Sequence, residues 1–499
     1  MPPRFGHRYK VDYNLKNSGT WFTLPDGDRI WRLNISSPGA LSINLLYDKF
    51  HIPDGAKFFV YSNNKKHILG AFTSQNNRSE RDAVQGFATG LIYNDAIILE
   101  YYLPKSVTEE GDISIAYVIQ GYRYIKLPEE FSEKTFEESG NCQVNVNCSE
   151  GTNWQNEKNA VAMILVNGNR YCTGSLVNTT ANDFRPLFLT ADHCLGGWAN
   201  DVKHDALGNS ILNHWSFYWH YESPGCNNTS NPSFVSTVGA TVVANNSASD
   251  FALLRLEDDP ATIQGINPYY LGWDRSGNAG TSGVGIHHPS GDVKKIATHN
   301  ITPSTSNCFT NTNYSNNNFW KVNWMSTSNG YSVTEGGSSG SPLLNNNHRL
   351  IGQLYGAGTC PNPNCNDPSK DIANYGKFSV SWTGNNNSNA RRRLSSWLDP
   401  NNTGATTTNT VRVPPPPSLS GPDQICDQAT YTINNLPAGA TITWGCTGLD
   451  GFNRVLFLVS GQGTPTAIFR KNFTGNHTIY ADISFNGNTI RLEKNNITT

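Results

Sequence analysis

Residues 334–344 read TEGGSSGSPLL, three serines set among three glycines just before an apolar run. Glycine serves where a chain must turn sharply or leave its amide groups uncovered. Taken alone, a Gly/Ser cluster is more often a turn or a linker than a site. A serine nucleophile needs a base to take its proton, an acid to hold that base in the right tautomer, and amide donors for the oxyanion. Whether Ser338, Ser339 or Ser341 is a nucleophile therefore depends on what the rest of the chain brings to it.

The chain supplies both partners. FLTADHC (188–194) puts His193 at the end of an apolar strand, beside a cysteine. SASDFALLRL (247–256) puts Asp250 at the mouth of another strand, where an ionised side chain can be buried against an imidazole. The order His, Asp, Ser is one of several triad orders, and it is that of the chymotrypsin-like double β-barrel. In that fold the first barrel carries His and Asp and the second carries Ser. Aligned on Gly-x-Ser-Gly, the nucleophile is Ser339. Gly337 and Ser339 then offer the two backbone N–H groups of an oxyanion hole, Gly340 relieves crowding behind the nucleophile, and Ser338 and Ser341 are turn residues.

A length of 499 residues suggests two to four domains. The chain is 37% hydrophobic and 11% aromatic, enough to fill cores, while only 15% is charged, so Asn, Ser and Thr carry much of its polarity. A net charge of −2 gives no global electrostatic argument for nucleic acid or an anionic membrane. No apolar run approaches the roughly 18 residues of a membrane span. Ten cysteines without any CxxC pair point to disulfides and thus to an exported protein. The start, MPPRFGHRYK, lacks the apolar core of a signal peptide. The favoured reading is a secreted protein whose signal has been trimmed; the other is a cytosolic protein with free thiols.

Along the chain, residues 1–138 alternate apolar and polar positions between turn signals such as PDGD and PDGA, and carry no catalytic constellation. Residues 139–400 hold eight of the cysteines and a dense series of short strands, enough for two β-barrels, closed by the helix-like NARRRLSSWLDP. Residues 401–420, with four successive prolines, read as a Thr/Pro-rich linker. Residues 421–499 read as a small strand-and-turn module in which Cys426 and Cys446 could bridge. The expected class is all-β.

The chain resembles the bacterial lysyl endopeptidases, a secreted branch of the trypsin-like serine proteases, from about residue 19 to 405. The resemblance rests on GNCQVNVNC, CTGSLVNTTAND, LFLTADHC, SDFALLRL, GWDR, IHHPSGDVKKI, TEGGSSGSP, IGQL, SWTG and RLSSWLDP. It implies that residues 1–138 are a β-rich propeptide, acting as an intramolecular chaperone or inhibitor and removed on maturation. It implies an enzyme that acts on protein or peptide substrates and needs no cofactor or metal. It also implies the bridges Cys142–Cys360, Cys148–Cys226 and Cys172–Cys194. Cys308 and Cys365 are left over in loops near the expected specificity pocket, and a fourth bridge, Cys308–Cys365, is expected between them. The end module resembles the Ig-like appendages of secreted bacterial proteins.

A lysine side chain needs an anion at the pocket floor. Where trypsin-like enzymes often place it, this chain has Val333; the lysyl endopeptidases place theirs two residues before a Tyr-Gly pair, here Tyr375–Gly376, and that position is Ala373. Asp371 is the nearest carboxylate, in a segment long enough to carry it into place. The family also has a His where this chain has Tyr355. Val333, Tyr355, Asp371 and Ala373 are therefore the candidate pocket residues, and a non-lysine specificity stays open beside a lysine one. Cys172, His193 and Cys194, with His287–His288, form a rival zinc set, but adjacent His–Cys suits two ligands of one tetrahedral site poorly. The second class of function is a binding or surface protein that uses inactive barrels as a scaffold.

Overall fold

The structure, a computed structural model, describes residues 3–77, 86–123, 139–196, 212–227, 234–263, 265–310, 312–361, 365, 372–414, 417–436, 439–447, 456–472, 475–485 and 489–499, and the backbone alone at 203–204, 210–211, 448 and 488. It divides into two units, Met1–Arg412 and Val413–Thr499.

The first unit opens on two antiparallel sheets. One orders the strands Thr20–Thr23, Arg29–Ser36, Ala96–Leu103, Lys57–Ser62 and Ile68–Phe72; the other orders Gly6–Asn14, Asp112–Gly121, Ser42–His51 and Phe87–Ala88. Strand alternation sends Trp31, Leu99, Tyr101, Phe58, Leu45 and Ile119 into one shared core. Val238 of the following region belongs to that core. The two regions are further joined where Leu91 N–H donates to the Tyr218 hydroxyl at 2.8 Å and Asn44 Nδ2 donates to Gly168 O at 3.2 Å.

Two larger antiparallel sheets follow. The first runs in the order 203–204, 210–211, Ala240–Asn246, Phe251–Leu256, Leu187–Ala191, Arg170–Leu176, Val161–Val166, Ser216–Trp219 and Val235–Val238. Several of its strands are buried along their whole length, Val161–Val166 and Leu187–Ala191 among them, which is why they read as continuous apolar runs. The second runs Lys295–His299, Gly283–His287, Pro342–Asn345, Leu350–Gly356, Ile372–Lys377, Phe319–Asn323 and Ser304–Thr305. This succession is the all-β, chymotrypsin-like double barrel that the motifs implied. The expected closing helix is instead two short turns, Ala390–Arg392 and Ser395–Leu398, separated by Arg393 in extended conformation.

The expected linker does not begin at residue 401. Val411–Arg412 pairs with Tyr269–Tyr270, Thr408 N–H donates to Trp273 O at 2.9 Å, and Arg275 Nε donates to Ala405 O at 2.7 Å. The threonine-rich stretch completes the edge left by 269–275 and so belongs to the first unit through Arg412. Ser418–Ser420, also placed in the linker, is a strand of the second unit.

Among its described residues the second unit holds seven strands around Tyr431, Ile433, Trp444, Phe469, Ile479 and Ile497. In chain order they form sheets 1-2-5-4 and 3-6-7, the strand order of a constant-type immunoglobulin sandwich. The Cys426–Cys446 bridge that the sequence allowed is not formed: Cys426 is exposed, and Cys446 Sγ lies 3.4 Å from the Leu456 carbonyl as its donor.

Two of the four expected disulfides are present, Cys148–Cys226 and Cys172–Cys194, and the other two are exchanged. Cys142 joins Cys365, with Cα atoms 5.2 Å apart, and Cys308 joins Cys360 at 5.0 Å, replacing the expected Cys142–Cys360 and Cys308–Cys365. Backbone pairing explains the exchange. Thr359 N–H donates to Cys308 O at 2.6 Å, which lays Cys360 beside Cys308. Cys142 N–H donates to Cys365 Sγ at 3.3 Å.

Candidate active site

Sheet register brings the first two residues together. Leu187–Ala191 and Phe251–Leu256 are antiparallel neighbours with Ala191 opposite Phe251, so the residues just beyond that pair, Asp192–His193 and Asp250, leave the sheet side by side. His193 is the second residue of a single helical turn, Asp192–Leu195, that the Cys172–Cys194 bridge ties to the adjacent strand. Asp250 sits in the left-handed region at φ 56°, which the short polar side chain of Asp tolerates. It is only 1% exposed.

Ser339 arrives from the second sheet, in the turn before Pro342–Asn345, and is fixed from both sides. Thr173 N–H of the first sheet donates to Ser339 O at 2.8 Å, and Gly340 N–H donates to Leu354 O at 2.8 Å. Two glycines have a steric reason here. A Cβ on Gly340 (φ 84°) would stand 2.2 Å from Thr190 Oγ1, and one on Gly337 (φ 101°) would stand 2.6 Å from the Tyr171 ring.

The three side chains form one hydrogen-bonded line. His193 Nε2 lies 2.8 Å from Ser339 Oγ, and His193 Nδ1 lies 2.7 Å from Asp250 Oδ2. Asp250 Oδ1 accepts the His193 backbone N–H at 2.9 Å, so one buried carboxylate orients both the ring and its backbone. The geometry suits proton transfer from a hydroxyl to an imidazole whose other nitrogen is held as a donor.

Beside this line lies a cleft of about 690 Å³, lined by His193, Ser339, Thr334, Glu335, Gly336 and Leu354 and closed on one flank by Tyr314, Tyr355, Gly356 and Ala357. The Tyr355 ring stands edge-on to His193 at 5.6 Å and to Tyr314 at 5.1 Å. Burial, with smaller contributions from Tyr355 and Asp250, pushes the Tyr314 hydroxyl up to about 12, so it stays a neutral hydrogen-bonding group.

Of the candidate pocket residues that the structure describes, only Tyr355 lines this cleft. Val333 is fully buried behind it, its carbonyl accepting from Gln143 Nε2. Ala373 packs inside the second sheet's core with Tyr375, Val322 and Leu354. Asp371 lies outside the described residues. Asn374, which the sequence did not single out, is buried and holds the cleft wall, Nδ2 donating to Ala357 O at 2.9 Å and to Gly356 O at 3.2 Å. Tyr314 was missed as well, because NTNYSNNN carries no pattern that separates it from a solvent loop. Among the described residues, no three His, Cys, Asp or Glu converge as a metal site, and Cys172 and Cys194 of the rival zinc set are bonded to each other.

Residues 136–373 match the family model of the lysyl endopeptidase C-terminal domain. A lysyl endopeptidase of Pseudomonas aeruginosa is 28% identical over 384 residues, covering 71% of this chain and 76% of the relative. A 29-residue stretch is 62% identical to karilysin of Tannerella forsythia, 6% of each protein. Two solved structures overlap more loosely. A Glu endopeptidase in complex with MPD shares 17% identity with TM-score 0.28, over 48% of this chain and 92% of its own. Deg5 shares 16% with TM-score 0.27, over 44% and 85%. At those scores the architecture rests on the strand order described above. Residues 136–373 are thus similar to a lysyl endopeptidase domain, and the chain is a serine endopeptidase.

Proposed function

We propose that Ser339 attacks the scissile carbonyl while His193 takes its proton, and that His193 then gives this proton to the leaving amine. Asp250 holds the ring and stabilises the imidazolium. The backbone N–H groups of Gly337 and Ser339 receive the oxyanion, and water hydrolyses the acyl-enzyme. The observation that carries this reading is the Ser339–His193–Asp250 line at 2.8 and 2.7 Å. Its test is Ser339→Ala: loss of hydrolysis with the fold retained supports it, and retained hydrolysis overturns it.

Substrates are proteins or peptides, and lysine at the residue before the cut is the preference that the family model supports. Asp371 is then the anion that meets the ammonium. A second specificity, for a side chain other than lysine, is favoured by two observations. Ala373 is turned into the core, and both oxygens of Glu335, the one carboxylate side chain among the described lining residues, are engaged by Gly140, Gln143 and Ser290. A cleavage profile on a peptide library, compared with that of Asp371→Ala, separates the two.

The enzyme is exported and made as a precursor whose first 138 residues assist folding and block the cleft. Four disulfides and the start of the family match at residue 136 support this. So does the chain's own beginning. Pro3 O accepts Tyr171 N–H at 3.3 Å, and Phe5 N–H donates to Asn169 O at 3.0 Å. Arg4 thereby faces Arg170 as an antiparallel partner, and a Cβ on Gly336, at the cleft rim, would stand 2.7 Å from the Pro3 ring. The end module, an Ig-like sandwich in this reading, would serve attachment or binding rather than chemistry.

A further inference from the structure

An oxyanion hole works only if its amides already point at the place where charge develops, so each peptide plane behind it must be held from the rear. The plane joining Gly336 and Gly337 carries one of the two donors, the Gly337 N–H. A rotation of that plane would exchange this N–H for the Gly336 carbonyl, and glycine at both positions leaves such a rotation sterically open. The structure holds the plane and its neighbour with two hydrogen bonds from different elements. The Ser290 backbone N–H donates to Gly336 O at 2.7 Å, so that carbonyl is engaged. Thr173 Oγ1 donates to Gly337 O at 2.9 Å and engages the next carbonyl.

Both donors are themselves fixed. Thr173 Oγ1 accepts the His288 N–H at 3.1 Å, which directs its single proton toward Gly337. Thr173 is fully buried, so no water substitutes for it. Ser290 lies in the left-handed region at φ 54°, unusual for a residue that is not glycine. Its hydroxyl donates to Glu335 Oε2 at 3.0 Å, and Glu335 Oε1 accepts from Gly140 N–H at 2.9 Å and Gln143 Nε2 at 2.8 Å. Neither Thr173 nor Ser290 touches Ser339 Oγ or the imidazole in any hydrogen bond given above, so neither belongs to the proton-transfer line.

We infer that Thr173 and Ser290 are positioning residues that hold the 336–338 peptides so that the Gly337 N–H of the oxyanion hole faces the cleft before substrate arrives. This rests on Ser339 being the nucleophile. It places the requirement on a hydroxyl at 173 and, at 290, on a residue that keeps its N–H and accepts positive φ. Each role thus has a conservative replacement that keeps the function and a near-isosteric one that loses it.

The test uses the mature enzyme and four variants. Thr173→Val keeps the shape and removes the donor, whereas Thr173→Ser keeps the donor. Ser290→Ala leaves a Cβ at positive φ and removes the hydroxyl that stabilises it, whereas Ser290→Gly relieves the strain and keeps the N–H. For Thr173→Val the expected result is a fall in kcat of about 10² with KM within about twofold, of the size seen on losing an oxyanion donor. A peptide aldehyde, which forms a tetrahedral adduct, should lose affinity by a similar factor, and a non-covalent product peptide should not. Thr173→Ser and Ser290→Gly should recover most of kcat, and Ser290→Ala should fall between. The inference is overturned if Thr173→Val keeps full kcat, if its loss is mainly in KM, if aldehyde and product peptide weaken equally, or if Thr173→Ser is as impaired as Thr173→Val. Ser339→Ala separates the two readings. An active Ser339→Ala removes the reading on which the inference rests, whereas an inactive Ser339→Ala beside an unimpaired Thr173→Val removes the inference alone.

Discussion

At the scale of the residue, Ser339→Ala deletes one oxygen from a turn already fixed by backbone hydrogen bonds. Hydrolysis should fall by a factor of at least about 10⁴ while the melting temperature stays near that of the parent. Ser338 and Ser341 are different. Both are fully buried, and Ser338 Oγ lies 2.7 Å from His287 Nδ1 and accepts Glu335 N–H at 3.3 Å. Ser338→Ala and Ser341→Ala should therefore retain substantial activity, with a modest loss of stability of about 1 kcal/mol for the hydrogen bonds lost in Ser338→Ala. Steady-state kinetics beside thermal melts decide it; an inactive Ser338→Ala with an active Ser339→Ala would shift the whole motif by one residue. That His193, Asp250 and Ser339 would meet was legible in the sequence, because His193 and Asp250 flank apolar strands and Ser339 stands in a Gly-x-Ser-Gly turn. Thr173, Ser290 and Asn374 could not be read there, because what they do depends on which carbonyl a distant turn presents to them.

At the scale of the element, the strand Gly283–His287 and its partner Lys295–His299 enclose unusual imidazoles. Burial, with the nearby Lys295 adding to it, lowers His287 to about 3; burial and Lys294 lower His288, where Glu222 opposes them; burial lowers His299. All three are neutral in the folded chain near neutrality. Once unfolded they take up protons below about 6.5. The unfolded state then binds more protons, so stability is complete above about pH 6.5 and falls as pH drops from there toward about 3. Thermal melts should show this decline, and His287→Asn, which can still accept the Ser338 hydroxyl, should make it shallower; an unchanged slope would count against the neutral buried ring. Disulfides belong to this scale too. Peptide mapping without reduction should recover Cys142 with Cys365 and Cys308 with Cys360. Each bridge typically stabilises a secreted domain by about 2 to 4 kcal/mol. Recovery of Cys142 with Cys360 would contradict the fold near the cleft. Sequence could not choose between these pairings, since Cys360 and Cys365 lie in one insertion and only the pairing of Thr359 with Cys308 separates them.

At the scale of the whole molecule, all-β architecture was legible from strand density and turn signals, and the double barrel from the order of three motifs. The boundary of the second unit was not, because a Thr-rich stretch serves a linker and a sheet edge equally well. Maturation should cut within 124–138, which lies outside the described residues, since Ser139 and Gly140 are already tied to Asp292 and Glu335. If Asp371 serves the pocket, the cut follows Lys134 and leaves Thr135 as the new N-terminus, and Asp371→Ala accumulates precursor. With no anion there, a buried ammonium costs several kcal/mol and the cut falls elsewhere, such as after Glu138. N-terminal sequencing distinguishes the two. A precursor in which residues 3–5 are replaced by glycine should label with an active-site probe faster than the parent precursor; equal rates would count against the N-terminal arm as an inhibitor. The most direct measurement for the whole account is to treat the mature enzyme with a fluorophosphonate and map the adduct. One phosphonyl group on Ser339, absent when His193 is replaced by alanine, is the result predicted. An adduct on Ser338, on Ser341 or on no serine, in a preparation that still hydrolyses peptides, would contradict it.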